Sequence, residues 1–164
     1  MWQSTFSLLE QCPFPVISCA HGHCVGLGID MTSAADIRLC TTDTQFSVAE
    51  INVGLAADVG TLQRLPKIVG NQGWVREVCF SGRLFDGKEA VHHGLCQHLF
   101  ETKDDMMTHA ATMAENMAQK SHIAMRGTKK HLVEALDKPI AQGLNDILVW
   151  NASMLQQPMW KAKM

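Results

Sequence analysis

The chain has 164 residues, of which 46% are hydrophobic and 18% charged, with a formal net charge of -2. This is the balance expected of one soluble globular domain able to bury a core, and it offers nucleic acid no basic stripe to hold. No apolar run approaches the roughly 18 residues of a membrane span, and the opening residues are not expected to form a secretory leader.

Residues 2–11 read as the last turns of a helix, apolar at Phe6, Leu8 and Leu9 and stopped by Pro13 and Pro15. A strand is expected over residues 14–20. A turn punctuated by Gly22, Gly26 and Gly28 then leads into a short helix near residues 27–35. Strands follow over residues 37–40 and 45–48, and this order of strand, turn and helix is that of an α/β domain. Farther on, residues 71–80 read as helix, 82–85 as strand, 87–93 as a short helix and 95–100 as strand. The remainder is helical. Met106, Ala110, Met113, Ala114 and Met117 recur at helical spacing, behind the first-turn acids Asp104 and Asp105, and read as core packing more than as a cofactor box. Helices near 122–136 and 140–156 finish the chain, the second opening on Pro139 with Ile140, Leu144, Ile147, Leu148 and Leu155 on an apolar side.

The six cysteines form no C-x-x-C pair and no regular framework, so free thiols are expected. Among the eight histidines, His21 and His23 lie beside Cys24, and His92 adjoins His93; no set of four ligands has the spacing of a zinc site, and no metal is expected. The last three residues, Ala162-Lys163-Met164, have the small, basic, apolar character of a peroxisomal address.

Two stretches carry candidate chemistry. In residues 21–30 a strand empties into glycines and then a helix, where unpaired backbone N–H groups converge. Such a place holds a phosphate, or the oxyanion of a polarised carbonyl, or serves only as a structural turn. In residues 50–60, Glu50 and Asp58 bracket an almost wholly apolar run. Buried there, a carboxyl would be pushed toward neutrality, as proton exchange with carbon at physiological pH requires; on the surface the pair would be caps or turn acids. Arg64 and Lys67 read as a structural ion pair or a solvated face, and Asp36 and Arg38 as structural.

Together these residues resemble the crotonase (enoyl-CoA hydratase/isomerase) family from about Phe14 to about Leu155. The family's G-G-G-x-[ED] stretch reads here Gly26-Leu27-Gly28-Ile29-Asp30, so the resemblance makes the backbone N–H of Leu27 an oxyanion-hole donor, with leucine in place of the middle glycine. Family hydratases have glutamates where Asp30 and Glu50 stand and no carboxylate where Asp58 stands. Asp58, within the run 50–64, is similar to the dienoyl-CoA isomerase branch.

The resemblance implies a crotonase-like α/β fold, with the C-terminal part of a ββα spiral over 1–101 and a helical, oligomer-forming region over 102–164. It implies catalytic Asp58, Glu50 and Asp30, an acyl-CoA thioester substrate and no cofactor, the CoA being part of the substrate. It further implies a homo-oligomer, trimeric or hexameric, placed in the peroxisome with the mitochondrion as alternative. The implied reaction moves two double bonds from the 3,5 to the 2,4 positions. Alternatives are an enoyl-CoA hydratase or other enoyl-CoA isomerase, and a truncated, non-catalytic partner of family subunits. Family members begin with a section of βα repeats that supplies the other oxyanion N–H and the principal CoA-binding residues, which the resemblance places upstream of Met1.

Overall fold

A computed structural model describes residues 2–155; the tripeptide 162–164 lies outside them. Helix α1 (Trp2–Gln11) is followed by β1 (Ile17–Ala20), β2 (His23–Val25), α2 (Leu27–Ser33), β3 (Ile37–Thr41) and β4 (Gln45–Ser47). A 3₁₀ turn (Ala49–Val53) comes next, then α3 (Thr61–Ile68), α4 (Gln72–Ser81), β5 (Phe85–Asp86), α5 (Gly87–His92) and β6 (His98–Phe100). Three longer helices end the described chain: α6 (Lys103–Ala118), α7 (His122–Glu134) and α8 (Ile140–Leu155).

The first four strands alternate between two sheets. One has the order β1-β3-β6, all parallel; the other has β2-β4-β5, with β2 parallel and β5 antiparallel to β4. Strand in one sheet, strand in the other, then helix is the ββα repeat. Because side chains alternate along a strand, β3 serves two cores at once. Cys40 enters the main core with Phe46, Phe85, Trp74 and Leu95, while Leu39 packs on Met106 and Ala110 of α6. Phe46 and Phe85 stack at 5.4 Å, and Trp74 meets Phe85 edge-on at 5.1 Å.

Val16–Ala114 with α1 forms one compact unit; Pro13–Pro15 with the chain from Glu115 onward forms another. In the second, Trp150 of α8 lies on Gly127 of α7, where a Cβ would come within 2.3 Å of the indole nitrogen. Buried Lys129 donates to the Phe14 carbonyl at 2.9 Å.

Several elements depart from the reading above. Strand β2 was not expected, because three residues between glycines carry too little pattern. The helix α3 was not expected either, since Pro66 sits inside it. The strand expected over residues 82–85 shrinks to Phe85–Asp86, because Gly82 in left-handed conformation ends α4 instead. Of the methionines expected in the core, Met106 is fully buried and Met113 and Met117 are half-buried. Within this chain the α8 positions Ile140, Leu144 and Leu148 face outward, while half-buried Ile147 and Trp150 turn inward. All six cysteines are free, and the Cys96 thiol is pushed far up by its hydrogen bond with Cys40 and by burial.

Gly87 is the tightest backbone approach in the sheet region: a Cβ there would lie 2.3 Å from the Thr41 carbonyl oxygen and 2.9 Å from Leu99 Cδ1. Backbone cannot swing aside as a side chain does, so Gly87→Ala is expected to lower unfolding stability by about 1–3 kcal/mol in urea titration. A second prediction concerns Glu89, whose carboxylate accepts from Arg83 at 2.5 and 3.0 Å and from Trp74 Nε1 at 2.8 Å. Arg83 first, with help from Trp74, holds its pKa at about 2 against an ordinary 4.5. A depressed folded-state pKa contributes stability that is complete above about 4.5 and lost as pH falls toward about 2. The difference in melting temperature between wild type and Glu89→Gln is therefore expected to be constant at neutral pH and to shrink across that acid window.

Candidate active site

The site begins where β2 ends. Gly26 donates its N–H to Ser47 O at 2.9 Å, extending the β2-β4 pairing by one step, and its φ of 55° and ψ of -114° suit glycine. That turn starts α2. The N–H groups of Ile29 and Asp30 return to the Gly26 carbonyl at 2.7 and 3.3 Å. Those of Leu27 and Gly28, one step earlier, are the donors that a helix start leaves for a ligand.

Glu50 lies on the 3₁₀ turn just after β4. Its carboxylate stands against the Gly26 backbone: a Cβ on Gly26 would lie 3.2 Å from Glu50 Oε1. Glu50 Oε2 is buried and, among the described residues, has no hydrogen-bond partner. The turn that holds it is pinned to the end of α4, since Ser47 Oγ and Asn52 Nδ2 both donate to Gly82 O, at 2.8 and 2.9 Å. The pKa of the Cys79 thiol on α4 is raised, first by burial and then by the charge of Glu50.

Past the 3₁₀ turn, Gly54 turns left-handed and Leu55 N–H returns to Glu50 O at 3.0 Å. The chain then runs through Ala57, buried in the core, to Asp58, which is exposed. The peptide around Asp58 is tethered on both sides. Gln3 Nε2 donates to Asp58 O at 2.6 Å, and Arg64 Nη1 donates to Val59 O at 3.3 Å. Arg64 in turn forks onto Glu10, with both contacts at 2.9 Å, so it is the structural ion pair that was expected.

Asp30 points elsewhere. It is 1% exposed, and its Oδ1 accepts from both the N–H and the hydroxyl of Thr61, each at 2.7 Å, at the first residue of α3. The structure therefore brings Glu50 and the Leu27 segment together, places Asp58 on a tethered loop nearby in sequence, and engages Asp30 at the start of α3. No hydrogen bond joins the three carboxylates to one another among the described residues.

The partners Thr61, Gln3, Gly82 and Cys79 were missed in the sequence. Only Gly82, a glycine ending a helical run, left a signal there. Among the described residues no group of three His, Cys, Asp or Glu side chains is placed to hold a metal. A cavity of about 370 Å³ lies between α7 and α8, where Lys138 is already paired with Glu134 and Asp146. None of the candidate carboxylates lines it.

The sequence pattern of the enoyl-CoA hydratase/isomerase family matches residues 1–163. The chain belongs to this family. It is 46% identical over 155 residues to the mitochondrial Δ(3,5)-Δ(2,4)-dienoyl-CoA isomerase of Mus musculus, covering 94% of this chain and 47% of that one. To the peroxisomal Δ(3,5)-Δ(2,4)-dienoyl-CoA isomerase of Arabidopsis thaliana it is 40% identical over 153 residues, covering 93% and 55%. The crystal structure of a putative enoyl-CoA hydratase from Streptomyces coelicolor A3(2) superposes with a TM-score of 0.89 at 29% identity, over 97% of this chain and 57% of that one. The fold is thus the crotonase fold, and the chain spans about half the length of the curated relatives it matches.

Gly22 and Gly26 allow the closeness of Glu50 to be tested. Both have positive φ, 63° and 55°, but a Cβ on Gly22 meets nothing within 4 Å. Gly22→Ala is expected to carry only the backbone strain, on the order of 1–2 kcal/mol. Gly26→Ala is expected to cost more in the same urea titration, because the methyl also displaces the Glu50 carboxylate.

Proposed function

We propose that this chain supplies the acid/base half of an isomerase that converts 3,5-dienoyl-CoA to 2,4-dienoyl-CoA in fatty-acid β-oxidation. The observation that carries this reading is the Glu50 carboxylate, held against a helix-start glycine with one buried oxygen left unbonded by the described residues. Asp58, eight positions on, is the second acid/base group.

The chemistry needs two such groups. Asp58 takes the proton from C2, the C2 electrons delocalise into the thioester and the diene, and the charge collects on the thioester oxygen as a dienolate. The N–H of Leu27 faces that oxygen; a single oxyanion donor is worth ~3–4 kcal/mol. Collapse of the dienolate takes a proton at C6 from Glu50 and leaves the double bonds at positions 2 and 4. One proton has gone to Asp58 and one has come from Glu50, so exchange with water resets the pair, and the exposure of Asp58 favours that exchange. No cofactor enters; CoA is part of the substrate.

Dienoyl-CoA isomerase names on relatives at 46% and 40% identity support this assignment. Those names place the relatives in the mitochondrion and the peroxisome, and we place the reaction in one of these compartments. Enoyl-CoA hydration is favoured by the hydratase structures that share the fold. It would use Asp30 and Glu50, and Asp30 Oδ1 is already engaged by Thr61. The open stripe Ile140, Leu144 and Leu148 supports assembly into a homo-oligomer, trimeric or hexameric, through residues 102–164.

The test is to add 3,5-dienoyl-CoA to the purified chain and follow the ultraviolet absorbance of the conjugated 2,4-dienoyl product. Wild type is expected to form it. Asp58→Asn and Glu50→Gln are each expected to lower kcat by roughly 10²–10⁴-fold. A hydroxylated product would move the assignment to the hydratase, and a folded wild-type chain that makes no product would move it to a non-catalytic assembly partner.

A further inference from the structure

The short helix α2 carries two groups that face different parts of the site. Its first residue, Leu27, offers the N–H assigned to the oxyanion; one turn later, Asp30 holds the first residue of α3. Thr61 is only three positions beyond Asp58, with Val59 and Gly60 between them. Asp30 and Thr61 are 1% and 0% exposed, so both contacts run through dry interior. The thioester carbon is bonded to C2, and a donor on the thioester oxygen and a base at C2 must therefore be held at a fixed separation. The path Leu27–Asp30–Thr61–Asp58 is one helical turn, one pair of hydrogen bonds and three residues of chain.

From this juxtaposition we infer that Asp30 is a positioning residue: its carboxylate fixes the distance from the oxyanion donor to Asp58 and exchanges no proton with the substrate. The inference rests on the reading of Asp58 as the base at C2. Three features of the structure support it. Asp30 Oδ1 accepts two 2.7 Å bonds, so one oxygen serves the start of α3 completely. A carboxylate there also matches the positive end of that helix. The other ties on this stretch, from Gln3 to Asp58 O and from Arg64 to Val59 O, are single bonds from side chains of α1 and α3. Among the described residues, the hydrogen bonds that link the stretch to α2 are those of Asp30.

Asparagine separates positioning from proton transfer, because its Oδ1 still accepts from the Thr61 N–H and hydroxyl but it cannot act as an acid or base. Asp30→Asn is expected to keep at least about a tenth of the wild-type kcat. Asp30→Ala is expected to lose about a hundredfold in kcat, the scale of a 1 Å misplacement, with little change in KM. Thr61→Val keeps the N–H and the buried volume, so it folds even if the alanine variant does not. It is expected to lower kcat in the same direction, by roughly tenfold.

Amide hydrogen exchange across residues 58–64 gives a second readout that needs no turnover. Exchange is expected to accelerate at least tenfold in Asp30→Ala and in Thr61→Val, and to stay near wild type in Asp30→Asn. An asparagine variant as inactive as the alanine variant, with exchange still protected, would overturn the proposal and return Asp30 to proton transfer. If wild type makes no dienoyl product, the reaction assignment fails, and exchange alone decides the positioning claim. Unaltered exchange in both Asp30→Ala and Thr61→Val would then show that Asp30 positions nothing.

Discussion

One backbone hydrogen bond, from Gly26 N–H to Ser47 O, sets the rest of the site in place. It is the step at which the β2-β4 pairing stops being sheet and becomes two diverging turns, one opening α2 and the other the 3₁₀ turn. Ser47 faces three tasks there. Its carbonyl receives Gly26, its hydroxyl donates to Gly82 O, and its place in β4 puts Glu50 three residues downstream. A shift of the register by one residue would turn each side chain of β4 to the opposite face, and Phe46, fully buried between the layers, forbids it.

The two candidate acid/base groups are held by different means. Glu50 sits on a turn locked to α4 through a carbonyl that accepts twice, and its Oε1 lies 3.2 Å from where a Cβ on Gly26 would stand. A buried carboxyl oxygen without a partner costs about 1–3 kcal/mol, and the fold tolerates it because the turn cannot move away. Asp58 is exposed, so its position comes from ties on its backbone, from Gln3 at one residue and Arg64 at the next. On the proposed reading, a half-buried carboxylate on a pinned turn suits a donor that must stay aimed, and tethered exposure suits a base that passes its proton readily to water.

Much of the fold was legible in the sequence. The helices α1, α2 and α4 to α8 and the strands β3 and β4 have enough length or enough turn chemistry at their ends to declare themselves. The stretches around Leu27 and around Glu50 and Asp58 were legible too, because glycines and acids are conspicuous in apolar surroundings. The supporting contacts were not. Asp30 and Thr61 are 31 positions apart, Gln3 and Asp58 55, and Arg64 and Glu10 54. No local period announces pairs at such separations. Pro66 hid α3 for a similar reason: as a local signal it ends a helix, yet here the preceding turn is held from outside by Asp30 and by the Arg64 fork.

Separation of the carboxylates is also what distinguishes the two chemistries open to this fold. Adding water across a double bond asks two carboxylates to hold one water molecule, and each must then have its oxygens free toward the same point. Moving two double bonds asks for proton exchange at C2 and at C6, four bonds apart, and favours carboxylates on different pieces of chain. Here Asp30 directs Oδ1 to Thr61, whereas Glu50 keeps an unbonded oxygen and Asp58 rides on its own loop beyond Gly54. On the proposed reading, one carboxylate engaged by the fold and two others on separately held segments suit transfer at two carbons more than activation of a single water.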